Sequence, residues 1–283
     1  MLTHVDLQLA STMTSDYICH IVWCATGPLA FLPLHAAGIY GSSDSTLNIN
    51  LLDHTTSSYT PTIASLLIDS VDHSELPFTV PRTLLISQPD TPGQKYLPGT
   101  TRETESIQKI IPAECINHLN AEDATVSTVI ESMEHCQWVH LACHGIQNEM
   151  DPLQSAFILY DGKLTLGRLM AMKLKNVKLA FLSACQTATG DQKLPEEAVN
   201  LAAGMLVAGF TSVVGTLWSI EDRDGSILAE AFYSRLIGNS QCLERQDGRL
   251  RVAYALHEAV KELRDKVGVH NFARWVPFVH FGV

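Results

Sequence analysis

Residues 137–145 read QWVHLACHG and residues 177–190 read VKLAFLSACQTATG, and these two stretches decide the fold class. Each is an apolar run of strand length that stops at a chemically capable residue among small ones, His144 in the first and Cys185 in the second. In an open parallel sheet, a strand, a crossover and a return strand bring both C-terminal ends to one edge, where such sheets carry their sites. Neighbouring strands lie about 4.8 Å apart, so an imidazole and a thiol leaving adjacent strand ends can approach closely.

Outward from these strands, apolar β-rich runs alternate with helix-like segments, so the expected fold class is α/β, a central mostly parallel sheet flanked by helices. Upstream, 17–25 (YICHIVWCA) reads as a strand, and GPLAFLPLHAAG as short helical turns, because Pro28 and Pro33 permit nothing longer. A further strand is expected at 47–52, a bend at TTSSYTP, a short helix at 61–69, a strand at 83–87 and a loop over QPDTPGQKYLPGT. The segment 101–110 (TRETESIQKI) reads as a helix opened by a Thr cap and a following Glu, the pattern of a capping box.

Downstream, SAFILYDGKLTL is a hairpin around Asp161 and Gly162. Helices are expected at 166–172, 196–207, 224–236 and, amphipathically, 250–267, with strands at 212–217 and in the closing VPFVHFGV. No linker divides the chain, so two packed subdomains are expected, a degenerate N-terminal half at 1–120 and a second half at 121–283.

The 283 residues hold 19 Lys and Arg against 30 Asp and Glu, a net charge of -11 that argues against a nucleic-acid partner. With 46% hydrophobic and 17% charged residues the chain has the composition of a large packed core. The uncharged run 198–220 approaches the length of a membrane span, but Gly204 and Gly209 interrupt it and SVVGTLW turns β-branched. A buried helix followed by a buried strand is the better reading, and no membrane partner is expected. Seven cysteines at irregular spacing, with no CxxC pair, read as reduced thiols of a cytoplasmic protein. The N-terminus lacks the pattern of a secretory signal.

A cysteine acts as a nucleophile once partly ionised, and a nearby His provides for this by taking the proton or stabilising the thiolate. His144 and Cys185 are thus a candidate dyad, with the backbone N–H groups of Gly145 and Cys185 as a candidate oxyanion hole worth about 3–4 kcal/mol. The alternative is a buried small Cys185 and a hydrogen-bonded core His144. His140, Cys143, His144 and Cys185 match no recognised metal-ligand spacing, and no metal is expected.

Several motifs resemble the CHAT domain family, caspase-like and separase-like cysteine peptidases often found downstream of TPR repeats. They are TGPLAFLPLHAAG (26–38), SSYTPTIASLL (57–67), LISQPDTPG (85–93), LPGT (97–100), VHLACHG (139–145), LAFLSACQTATGD (179–191), LAAGMLVAGFTSVVGTLWSIED (201–222) and PFVHFG (277–282), and the arrangement looks most like fungal members. The resemblance implies a caspase-like fold, His144 as general base, Cys185 as nucleophile, a protein substrate, and neither metal nor organic cofactor.

GTLWSIEDRDG (215–225) resembles the segment of separase whose acid lines the pocket for a basic residue, which implies that Asp222 selects Arg or Lys at P1. The open alternative is that Glu221, Asp222 and Asp224 simply start the next helix, where acids suit the positive dipole end. Asp191 is either a substrate-facing acid or a solvated turn residue. Glu196 and Glu197 stand where the family more often has Asp-Glu, and Asn200 where it has His. TPR repeats are absent, so the resemblance implies a regulatory partner or a TPR-type sensor. The rival readings are a silent interaction module that keeps the fold, and a thiol acyltransferase using the same dyad.

Overall fold

The computed structural model describes residues 19–41, 48–63, 80–146, 148, 150–183, 185–186, 196–238 and 250–282. In chain order the strands are β1 (Cys19–Trp23), β2 (Thr55–Tyr59), β3 (Thr83–Ser87), β4 (Ile116–Asn120), β5 (Trp138–Ala142), β6 (His144–Ile146), β7 (Ala156–Ile158), β8 (Lys163–Thr165), β9 (Leu179–Leu182), β10 (Cys185–Gln186), β11 (Ser212–Thr216) and β12 (Phe278–Gly282). The helices are α1 (Pro98–Gln108), α2 (Val126–Met133), α3 (Leu166–Met172), α4 (Glu196–Ala208), α5 (Asp222–Gly238), α6 (Leu250–Val267) and α7 (Phe272–Trp275).

Eight strands form one sheet in the order β1-β2-β12-β11-β9-β5-β3-β4, and β10-β6-β7-β8 form a second, smaller one. Among the described residues, only the β11–β12 pair of the large sheet is antiparallel. The architecture is therefore the expected α/β one, with a mostly parallel sheet between helical layers. The large sheet draws β1 to β4 from the first 120 residues and places them at both of its edges.

Alternation along each strand divides the core in two, because successive side chains leave opposite faces. Leu84, Ile86, Val139, Leu141, Ala180 and Leu182 meet Val129, Leu166 and Met205 of α2, α3 and α4 on one face. On the other, Leu85, Trp138, Leu179 and Phe181 meet Ile107, Leu228, Phe232 and Leu256 of α1, α5 and α6. The run 198–220 divides as expected into the end of α4 and β11. Among the described residues no helix is long and apolar enough to cross a membrane.

Several local expectations are corrected. TTSSY is a strand, because it lies between β1 and β12 and the Ser57 and Ser58 hydroxyls find partners on those neighbouring strands. The Ser58 hydroxyl, fully buried, lies 2.7 Å from His20 Nε2 and 2.6 Å from His280 Nδ1, accepting from one ring and donating to the other. Over its described part, the strand expected at 47–52 is a single bridge from Asn50 to Gly38 and a 3₁₀ turn at Leu51–Asp53. Helix α1 starts earlier than expected, with Pro98 in its first turn and no side-chain cap. A capping box is instead formed at α2, where Thr125 and Thr128 exchange side chain and backbone bonds. Strand β4 and helices α2 and α7 were unexpected, and most of the helix expected at 61–69 lies outside the described residues.

The LPLHAAG motif is a staple between the ends of the chain. The Tyr59 hydroxyl donates to His35 Nδ1 at 2.7 Å, and His35 Nε2–H donates to the Val276 carbonyl at 2.9 Å. Burial pushes His35 down to about 4 and Tyr59 up to about 12. Burial likewise lowers His257 to about 4 and His280 to about 3.

These three rings stay neutral in the folded chain at pH values where the unfolded chain protonates them, so unfolding takes up protons and stability falls with pH. The loss begins below the unfolded value of 6.5 and runs down through the folded values of about 4 and about 3. Urea midpoints should fall steadily over that window, and His257→Leu should flatten the slope by up to one proton. An unchanged slope in His257→Leu would contradict the assignment for that ring.

Candidate active site

Strands β5 and β9 pair in parallel with Leu141 opposite Leu182, so they end level with one another. His144 and Cys185 do not leave these ends directly, as the sequence suggested. Each opens a short strand of the small sheet just beyond, β6 and β10, and these pair in parallel with Cys185 opposite His144 and Gln186 opposite Gly145. The separation of 41 positions thus reduces to one cross-strand step, about 4.8 Å in a sheet. On its other side, β6 pairs antiparallel with β7, with Gly145 opposite Phe157.

His144 is fully buried. Its Nε2 lies 2.6 Å from the Lys95 carbonyl oxygen. A carbonyl only accepts, so Nε2 carries the hydrogen and, in the neutral ring, Nδ1 carries the lone pair. Nδ1 has no hydrogen-bond partner among the described residues. The ring is thus oriented through one nitrogen, and the lone pair of the other is unpartnered among the described residues. The Lys95 carbonyl is fixed by the folded loop before α1, where Gln94 N–H donates to Thr91 and Leu97 N–H to Pro89.

The three acids at the start of α5 have different surroundings. Asp224, fully buried, is held by the Arg274 guanidinium, with Nε donating at 2.8 Å. Glu221 is exposed and pairs with Arg223 at 2.7 Å. Asp222 is half-buried and, among the described residues, has no ion-pair partner. It follows β11, whose parallel neighbour is β9, so it stands at the same sheet edge as Cys185. Both Asp222 and Asp224 lie in the first turn of α5, where the helix dipole also favours them.

Two further features escaped the sequence reading. Lys95 contributes a backbone oxygen, which no side-chain pattern reports. Glu103, read as a capping residue, is buried, accepts a hydrogen bond from Ser183 Oγ at 2.8 Å and lies 3.1 Å from His140 Nε2. Its spacing held a signal, since Gly99, Thr100, Glu103, Thr104 and Ile107 share the buried face of α1. No group of three or more His, Cys, Asp or Glu is placed to hold a metal among the described residues. Asp191 lies outside the described residues, and Glu196, Glu197 and Asn200 are described only as backbone of α4.

The family model described as "CHAT domain" matches residues 1–283. A crystal structure of the Saccharomyces cerevisiae separase–securin complex shares the fold, with a TM-score of 0.61 and 18% identity over 96% of this chain and 16% of that one. A second structure of that complex gives 0.60 and 19%, over 98% and 16%. The Arg-specific cysteine proteinase gingipain R gives 0.48 and 11%, over 71% and 45%. The chain therefore spans about a sixth of the separase chains it matches, and at these identities the likeness is one of fold, caspase-like α/β. Among curated proteins the sequence has no significant match.

Gly99 sets the distance between α1 and α5. A Cβ added there would lie 2.7 Å from Asp222 Cβ and 3.1 Å from the Asp222 carbonyl. Gly99→Ala should therefore push the start of α5 away and cost about 1–3 kcal/mol, measurable by urea unfolding. A variant as stable as the parent would show that the two helices do not meet this closely.

Proposed function

The chain belongs to the CHAT domain family, and from that premise we propose that it is a cysteine endopeptidase in which Cys185 is the nucleophile and His144 the general base. The observation that carries this reading is the register pair Cys185–His144, combined with a His144 ring whose Nε2–H is spent on Lys95 and whose Nδ1 is left to accept. His144 Nδ1 takes the proton of the Cys185 thiol, and the thiolate sulfur bonds to the scissile carbonyl carbon. The N–H groups of Gly145 and Cys185 supply the oxyanion donors. Collapse of the tetrahedral species breaks the C–N bond, and the imidazolium returns its proton to the leaving amine. Water, deprotonated by the same ring, then releases the acyl group.

In this proposal Asp222 pairs with a basic P1 side chain. Support comes from its lack of an ion-pair partner among the described residues and its place at the Cys185 edge, and a guanidinium in a confined slot pairs strongly with a carboxylate. The division of labour we propose follows the two halves of the chain, with 121–283 carrying the dyad and 1–120 packed against it. Control by a protein partner is part of the reading, supported by the separase neighbours, which are complexes with securin. So is a cytoplasmic setting, in keeping with Cys19, Cys24, Cys115, Cys136 and Cys143, none of which forms a disulfide.

Alkylation with limiting iodoacetamide at pH about 6, read by mass spectrometry at all seven cysteines, tests the dyad. Cys185 should label first, and His144→Ala should remove its advantage. Cys136 should label last, because burial pushes its thiol up to about 12. On a peptide library, Cys185→Ala should abolish turnover, while His144→Ala should lower it by about 10²–10⁴. Cleavage after Arg or Lys should dominate and lose that preference in Asp222→Ala. Cleavage indifferent to P1 would refute the role of Asp222 and leave the dyad standing.

A further inference from the structure

Behind the dyad lies a second cluster of polar side chains that the reaction itself does not use. Glu103 of α1 is 3% exposed, and its Oε2 accepts from Ser183 Oγ at 2.8 Å. Its Oε1 stands 3.1 Å from His140 Nε2, an ion-pair distance at which the two atoms are out of line for a hydrogen bond. The His140 ring stacks on Phe181 of β9, centroids 4.8 Å apart and planes 22° from parallel, and its Nδ1 is 3.3 Å from the Tyr233 hydroxyl of α5. Gly225 in the first turn of α5 closes the cluster, since a Cβ there would lie 3.3 Å from Ser183 Oγ and 3.5 Å from Glu103 Oε2.

The members are those that the site needs held still. Ser183 directly follows the last residue of β9 and stands two positions before Cys185, the first residue of β10. Its backbone N–H is already bonded to the Leu141 carbonyl of β5 at 3.0 Å, and the bond to Glu103 fixes its side chain as well. His140 lies on β5, the strand that leads to His144. Glu103 lies on α1, which begins just after the Lys95 carbonyl that orients His144. A buried carboxylate is costly unless its oxygens meet donors, and the donor that Glu103 Oε2 meets is the Ser183 hydroxyl.

We propose that Glu103 is a positioning residue for the peptidase reaction: through the Ser183 hydroxyl, and braced against His140, its carboxylate fixes Ser183 at the end of β9 and thereby the place of Cys185 opposite His144. This rests on the peptidase reading above, and it assigns to an N-terminal helix a part in the geometry of the nucleophile.

The test combines two readouts, backbone amide exchange across 183–186 and the rate of Cys185 alkylation. Ser183→Ala and Glu103→Ala should each speed exchange at Cys185 and Gln186 by about tenfold and slow alkylation of Cys185 by a similar factor. Glu103→Gln keeps an oxygen that accepts from Ser183, and should stay near the parent in both. Tyr233→Phe removes a hydroxyl from the far side of the same cluster and is the control for general loss of stability. The proposal is overturned if Ser183→Ala or a folded Glu103→Ala exchanges at 185–186 no faster than Tyr233→Phe of equal unfolding free energy. If exchange rises in Ser183→Ala while Cys185 of the parent shows no alkylation advantage, the anchor stands and the peptidase reading fails.

Discussion

Parallel pairing of β5 with β9 aligns two chain segments that the sequence keeps far apart, and the candidate site depends on that register continuing past the ends of both strands. Leu141 faces Leu182, and the same parallel relation is taken up again by β6 and β10, with His144 facing Cys185. A slip of one residue would turn every side chain of the pair to the opposite face. The two cores oppose such a slip together, since Val139, Leu141, Ala180 and Leu182 fit one helical layer, and Trp138, Leu179 and Phe181 the other. The hydrophobic division of the sheet is thus what holds the imidazole and the nucleophile strand level.

Buried histidines are frequent in this protein, and their surroundings separate structural rings from the reactive candidate. His35 uses both nitrogens, on Tyr59 and the Val276 carbonyl. His280 leaves Nε2 without a hydrogen-bond partner among the described residues, but burial holds the ring down to about 3, so it takes up no proton near neutrality. His140 is stacked on Phe181 and set against Glu103. His144 alone among these four combines a fixed tautomer, an accepting nitrogen without a hydrogen-bond partner and a cysteine opposite it in register.

The legible parts of the fold were those whose physics is periodic or apolar. Strands β5 and β9, the hairpin of β7 and β8, and helices α3 and α6 announce themselves because burial on both faces, turn chemistry and amphipathic spacing each leave a pattern in residue types. Strand β2 left the wrong one, since Thr56 and Ser58 are fully buried yet read as solvated. The candidate pair was legible as two residue types at two strand ends, and its register was not, because pairing beyond the main sheet depends on how the chain turns at Cys143 and Ser183. Lys95 was illegible in principle, as its contribution is a carbonyl that every residue type carries. Glu103 was misread because a Thr and Glu at the head of a helix suit a capping box as well as a buried face, and only tertiary packing decides between them.

The described geometry also makes the segment 95–103 part of the candidate site, although no chemistry-bearing motif lies in it. Its first residue orients His144 through a carbonyl, Gly99 admits Asp222 at a separation that a side chain would forbid, and Glu103 ties down Ser183. These contacts reach three separate elements of the second half of the chain, β6, α5 and the end of β9. A loop leading into a helix carries out all three because Pro98 in the first turn stiffens the entry and the i, i+4 spacing of Gly99 and Glu103 puts both on one face. Residues outside the proposed dyad thus set distances on which the proposed chemistry depends. Packing of this turn therefore bears on the geometry of the candidate site as well as on the stability of the whole.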